Sequence, residues 1–178
     1  HRYAMLQAPM DDFLLRAIAE AAGTEIAFSN GWRYGAPVRP GAVTMDDLWN
    51  IIPVNPPVST VEMSGAEICD MIEDNLERTF AADPYEQMGG YVKRMRGLKL
   101  YVKIENPNGR RIDRLFAGGI PVQDDDRFKV AFVTEQGVPK KYGRDRRNLD
   151  IDAITAMRHL LASAPLISPS EAQTVFEI

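Results

Sequence analysis

Apolar residues recur at helical spacing near the start of the chain. In DDFLLRAIAEAAG, Phe13, Leu14, Ala17, Ile18 and Ala21 fall three and four residues apart, which predicts a helix ending at Gly23. TEIAFS then reads as a short strand. Thr44 and Asp47 form a capping-box pattern opening MDDLWNII, which Pro53 ends. NPPVS is extended and leads into the strand TVEM. Ser64 and Glu67 make a second capping box, and Ile68, Met71, Ile72, Leu76 and Phe80 share one face of the helix it opens.

The second half changes period. LKLYVKI alternates, with Leu98, Leu100, Val102 and Ile104 on one face and Lys99, Tyr101 and Lys103 on the other. NPNG turns the chain and RRIDRLFA returns, which predicts a hairpin. GGIPVQDDD connects to the strand RFKVAFVT, DAITAMRHLLASA is a third helix with Ile154, Met157, Leu160 and Leu161 inward, and AQTVFEI is a last strand. Hairpins and the lack of regular βαβ alternation predict an α+β fold, a mixed or antiparallel sheet with helices packed on it. No internal repeat interrupts the pattern, and 178 residues fit a single domain spanning 1–178.

Composition adds exclusions. A net charge of −4 gives no general attraction to nucleic acid, and no apolar run approaches the roughly 20 residues of a membrane span. HRYAMLQAPMDD lacks the pattern of a signal peptide, and a start at His1 rather than Met fits a fragment of a longer chain. His1 and His159 are the only histidines and Cys69 the only cysteine, too few for a metal centre of His and Cys. His159 is read as a structural residue near the inner helical face, and Cys69 as a small core residue. DDD at Asp124–Asp126 lacks the alternating ligands of a calcium loop and reads as a solvated turn. No G-x-S-x-G, P-loop or G-x-G-x-x-G is present, so no catalytic residue is expected in this chain. Lys99 and Lys103 belong to the solvent face of an ordinary strand, against a nucleic-acid surface.

One stretch resists a purely structural reading. SNGWRYGAPVRPG, Ser29–Gly41, sets Arg33, Arg39, Trp32 and Tyr34 among three glycines and two prolines. Guanidinium forks suit phosphate, sulfate or carboxylate groups, and glycines let backbone N–H groups approach the same anion. The residues alone permit either a binding loop or a turn with packed aromatics.

The ordered set EIAFSNGWRYG, PGAVTMDDLWNIIP, TVEMSGAEICDMIEDN, DPYEQMGGYVKRMRGLKLYVK and GRRIDRLFAGGIPVQDDDRFKVA resembles the C-terminal domain of the 5′-nucleotidase family. Within it, GWRYG, VEMSG, IEDN and DPYEQMGG resemble the thiosulfohydrolase of the Sox sulfur-oxidation system. The resemblance implies a substrate-binding domain, part of a two-domain chain. Its partner would be an N-terminal metallophosphoesterase domain holding two divalent ions, Mn or Zn, with none bound here. It implies a periplasmic or secreted protein acting on a small anionic or protein-borne substrate. Asn30 and Arg33 match the family's substrate loop, with Trp32 and Tyr34 flanking it; Asn55 and Gln87 lie on loops matching family segments. Nucleotidases of the family clamp the base between two aromatics, and here Val54 and Glu135 fall at those places. Two other readings stay open: a free-standing anion- or protein-binding module, and a nucleotidase acting on nucleoside monophosphates.

Overall fold

In a computed structural model, residues 5–30, 38–164 and 173–178 are described. The chain runs α1 (Pro9–Ala22), β1 (Ile26–Ser29), α2 (Met45–Ile51), β2 (Pro57–Ser64), α3 (Gly65–Phe80), β3 (Arg94–Arg96) and β4 (Leu98–Val102). It continues through β5 (Ile112–Ala117), β6 (Ile120–Pro121), β7 (Arg127–Val133), α4 (Thr134–Gly137), β8 (Arg144–Asp152), α5 (Ala153–Ser163) and β9 (Val175–Glu177). Five strands form one sheet in the order β3-β1-β7-β2-β8, and four form another in the order β6-β5-β4-β9. The α+β class expected from the pattern is observed, with both sheets mixed: β1 and β7 are parallel, as are β4 and β9.

The five-stranded sheet is covered on both faces, so its central strands β1, β7 and β2 bury apolar side chains on each of them. Ile26, Phe28, Val61, Met63, Val130 and Phe132 face one core, shared with Ile68, Met71, Ile72 and Leu76 of α3 and with Leu98, Leu100 and Val102 of the second sheet. Ala27, Val58, Ala131 and Val133 face the other, beneath α1, α2 and α5. Each fully buried Leu or Ile contributes about 1.5–3 kcal/mol.

Local chemistry fixes the helix starts. Ser64 Oγ accepts from the Glu67 N–H at 3.1 Å, and Glu67 returns by accepting the Ser64 N–H at 2.8 Å. Thr44 and Asp47 make the same reciprocal pair. The DDD turn is largely exposed, and it also closes the start of α3: the Gly65 and Ala66 N–H groups donate to the carbonyls of Asp126 and Asp124 at 3.1 and 3.2 Å.

Four features are absent from the sequence reading or differ from it. KKYGRDRR, given no element there, runs into β8, a nine-residue edge strand on β2 that Arg144 opens. Arg144, Asp145, Arg147 and Asp150 are exposed, and charges on an edge strand discourage pairing with another chain. Ile120 and Pro121 form the short strand β6 within the connection. Arg94–Arg96 pairs with β1 as the opposite edge of that sheet. His159 is exposed rather than near the inner face of α5, since the buried stripe runs through Ile154, Met157 and Leu160.

Candidate functional site

β1 and β7 are parallel neighbours, so their carboxyl ends open on the same side of the sheet, the usual position for a ligand crevice. There β1 delivers Asn30 and β7 delivers Thr134 into one open cleft of about 950 Å³. Asp74, Asn75 and Arg78 of α3 form a second side, with Tyr91 and Lys93 from the segment before β3. Gln136, Lys141 and Tyr142 complete it, and Val54 and Met88 add apolar rim.

The walls are braced by named hydrogen bonds. Asn30 Nδ2 donates to Gln136 Oε1 at 2.8 Å. Asn75 Oδ1 accepts the Lys93 N–H, and Thr79 Oγ1 donates to the Tyr91 carbonyl at 3.1 Å, which fastens residues 91–93 to α3. On the far wall, Arg146 donates to the carbonyls of Val138, Pro139 and Tyr142 while its guanidinium lies 4.6 Å from the Phe132 ring centroid.

Charge within the cleft is unevenly neutralised. Asp74 accepts from both Lys141 and the Tyr142 hydroxyl. Burial pushes its carboxyl up, but these bonds outweigh it and hold Asp74 below the usual carboxylate range. Glu135 is paired with Lys140 at 2.6 Å. Lys93 is only 6% exposed, and its Nζ donates to the carbonyls of Gln136 and Gly137 at 2.8 and 2.9 Å. Burial, reinforced by the positive charge of Arg78, brings its ammonium down to about 8.

Thr134 is the strained residue of the cleft. Its φ of 60° is a left-handed conformation that a β-branched side chain adopts at a cost of order 1–3 kcal/mol. Its Oγ1 is buried with no hydrogen-bond partner among the described residues.

The expected site residues divide. Asn30 lines the cleft. Trp32, Arg33 and Tyr34 lie outside the described residues, directly after it in sequence. Asn55 is elsewhere: its Oδ1 accepts the Ile154 N–H at 2.9 Å at the start of α5. Gln87 is also outside the cleft lining, its amide donating to the Ala81 carbonyl at 2.8 Å. Val54 and Glu135, read as standing where nucleotidases place aromatics, both line the cleft. Sequence reasoning passed over Arg78, Lys93 and Thr134. Lys93 had a signal in its basic stretch, but nothing in the sequence marks a threonine for positive φ. Among the described residues, no group of three or more His, Cys, Asp or Glu could hold a metal ion, and no helix is long and apolar enough to cross a membrane.

Comparison with known proteins agrees with this architecture. The chain is 26% identical over 133 residues to the trifunctional nucleotide phosphoesterase YfkN of Bacillus subtilis, an alignment covering 67% of this chain and 8% of that protein. It superposes on the sulfate thiohydrolase SoxB of Thermus thermophilus with a TM-score of 0.85 and 25% identity, covering 98% of this chain and 32% of that one. A 5′-nucleotidase precursor, also from Thermus thermophilus, superposes with a TM-score of 0.80 and 16% identity, covering all of this chain and 37% of that one. The chain thus spans a small part of that curated relative and about a third of these structures. The family profile described as 5′-nucleotidase, C-terminal domain, matches residues 4–134, and the chain belongs to that family.

Proposed function

We propose that this chain is the substrate-binding domain of a two-domain dinuclear metallohydrolase of the thiosulfohydrolase kind. In this reading residues 1–178 form one domain. They present a sulfate- or phosphate-like ester to two divalent ions, Mn or Zn, held by a separate N-terminal metallophosphoesterase domain. A dinuclear centre supplies Lewis acidity and a water of lowered pKa; this chain supplies binding and orientation. A periplasmic or secreted location goes with that assignment.

The carrying observation is the composition of the cleft at the carboxyl ends of β1 and β7. It combines cations with Asn30, while the two places where nucleotidases carry aromatics hold Val54 and Glu135. An aliphatic side chain and a carboxylate cannot sandwich a nucleobase as two aromatic faces do. The structural likeness to the sulfate thiohydrolase supports the same reading, although the curated relative is a nucleotide phosphoesterase.

Titration calorimetry of the chain with sulfate, thiosulfate, phosphate and AMP tests it. Binding of the inorganic anions, with AMP no tighter than phosphate, is expected. AMP binding at least tenfold tighter than phosphate would replace this reading by a nucleotidase one. The coding sequence upstream separates an enzyme domain from a free-standing binding module. D-x-H followed by N-H-[DE] and G-H-x-H would supply the metal-binding half, and their absence would leave the module.

A further inference from the structure

Two cations of the cleft make no ion pair with its carboxylates, although Arg78 lies close enough to Asp74 to help hold its carboxyl down. Asp74 is engaged by Lys141 and Tyr142, and Glu135 by Lys140. The Arg78 guanidinium has no hydrogen bond or ion pair among the described residues, although Arg78 lines the cleft from α3. Lys93 lines the same cleft and donates to two carbonyls, which leaves one of the three N–H bonds of its ammonium unassigned. Thr134 lines the same cleft, with its buried hydroxyl unpartnered among the described residues and its backbone strained. Buried charge without a counter-charge is costly, and strained residues cluster where a ligand is clamped.

We infer that Arg78, Lys93 and the Thr134 hydroxyl form a subsite for a tetrahedral oxyanion, the sulfate-, sulfonate- or phosphate-like group of the substrate. The inference rests on the substrate-binding reading and adds residues outside the Asn30–Tyr34 segment to it. Arg78 offers a planar fork at the mouth, exposed enough to meet an incoming ligand. Lys93 offers a desolvated point charge at the wall, where charge-assisted bonds are strongest. The anion supplies a counter-charge to Lys93, whose ammonium otherwise meets only carbonyls. The other titratable groups lining the cleft with Lys93 are Asp74 on α3, Tyr91 on its own segment, Glu135 in the segment whose carbonyls it bonds, and Lys141 and Tyr142 beyond it in sequence.

The test is calorimetric titration of the 178-residue chain with sulfate, thiosulfate and phosphate at pH 7. Wild type is compared with Arg78→Gln and Lys93→Met, with thermal melts as a fold check. At least a tenfold loss of affinity in each variant is expected. Arg78 is exposed, so Arg78→Gln folds as wild type and decides the matter even if Lys93→Met does not fold. Anion binding that Arg78→Gln leaves unchanged overturns the subsite while the substrate-binding reading stands, because the anion is then held elsewhere. No binding of any of the three anions by wild type overturns that reading and the subsite with it.

Discussion

The Asn30 amide donates to Gln136 at 2.8 Å across 106 residues of sequence, joining the carboxyl ends of two parallel strands. The bond sits at a solvent-accessible mouth, so its role is positional. Asn30→Ala is expected to change unfolding free energy by less than about 1 kcal/mol. It should weaken oxyanion binding roughly fivefold, about 1 kcal/mol. Paired melts and calorimetry check both halves.

Thr134→Gly should separate stability from binding. Glycine occupies a φ of 60° without steric cost, so relief of strain outweighs its added chain entropy and stability rises by about 1 kcal/mol. The hydroxyl is lost with the side chain, so oxyanion affinity falls. Urea unfolding and calorimetry on the same preparation read the two opposing changes.

Arg94 and Asp11 form an ion pair at 2.9 Å between β3 and α1, with side chains 5% and 8% exposed. Removing one member takes the opposite charge away from a buried ion. Asp11→Ala is expected to cost about 3–5 kcal/mol, whereas Asp11→Leu combined with Arg94→Met should recover most of it. Denaturant unfolding of the single and double variants measures the difference.

Gly65 packs against backbone. A Cβ there would stand 2.0 Å from the Gln123 carbonyl oxygen, so Gly65→Ala must displace the turn that closes α3. A loss of about 1–3 kcal/mol is expected in denaturant unfolding.

Acid should weaken the same junction. Hydrogen bonding from the Ser64 N–H, opposed by burial and helped by the Gly143 N–H, holds the Glu67 carboxyl below its ordinary value. A carboxylate lowered in the folded state stabilises fully above its unfolded pKa, and the contribution is lost as pH falls through the folded one. Glu67→Gln should therefore show a shallower loss of stability between about pH 5 and pH 3 than wild type. Urea midpoints across that interval give the slope.

Most of the scaffold was legible because it follows from local rules. Both capping boxes, the α3 stripe and the β4–β5 hairpin are written in adjacent residues. β8 was not, because an edge strand reading RDRRNLDID carries few apolar positions, and its pairing with β2 joins distant segments. The cleft was half legible. Asn30 lies in a segment whose composition singles it out as a binding loop or a packed turn, whereas Lys93 and Thr134 stand out through burial and backbone geometry that only the tertiary structure creates. Asn55 shows the converse, a polar loop residue whose carbonyl is engaged by the backbone of α5.

The parallel pairing of β1 with β7 also sets an order of events. Both strands must be in place before Asn30 and Thr134 can face one cavity, and the chain between them is about a hundred residues long. Closing so long a loop is entropically costly and slows the acquisition of structure, while the β4–β5 hairpin and α3 need only near neighbours. The cleft is thus expected to form late in folding. A nascent chain ending before Arg127 would contain much of the secondary structure and lack the strand that completes the cleft.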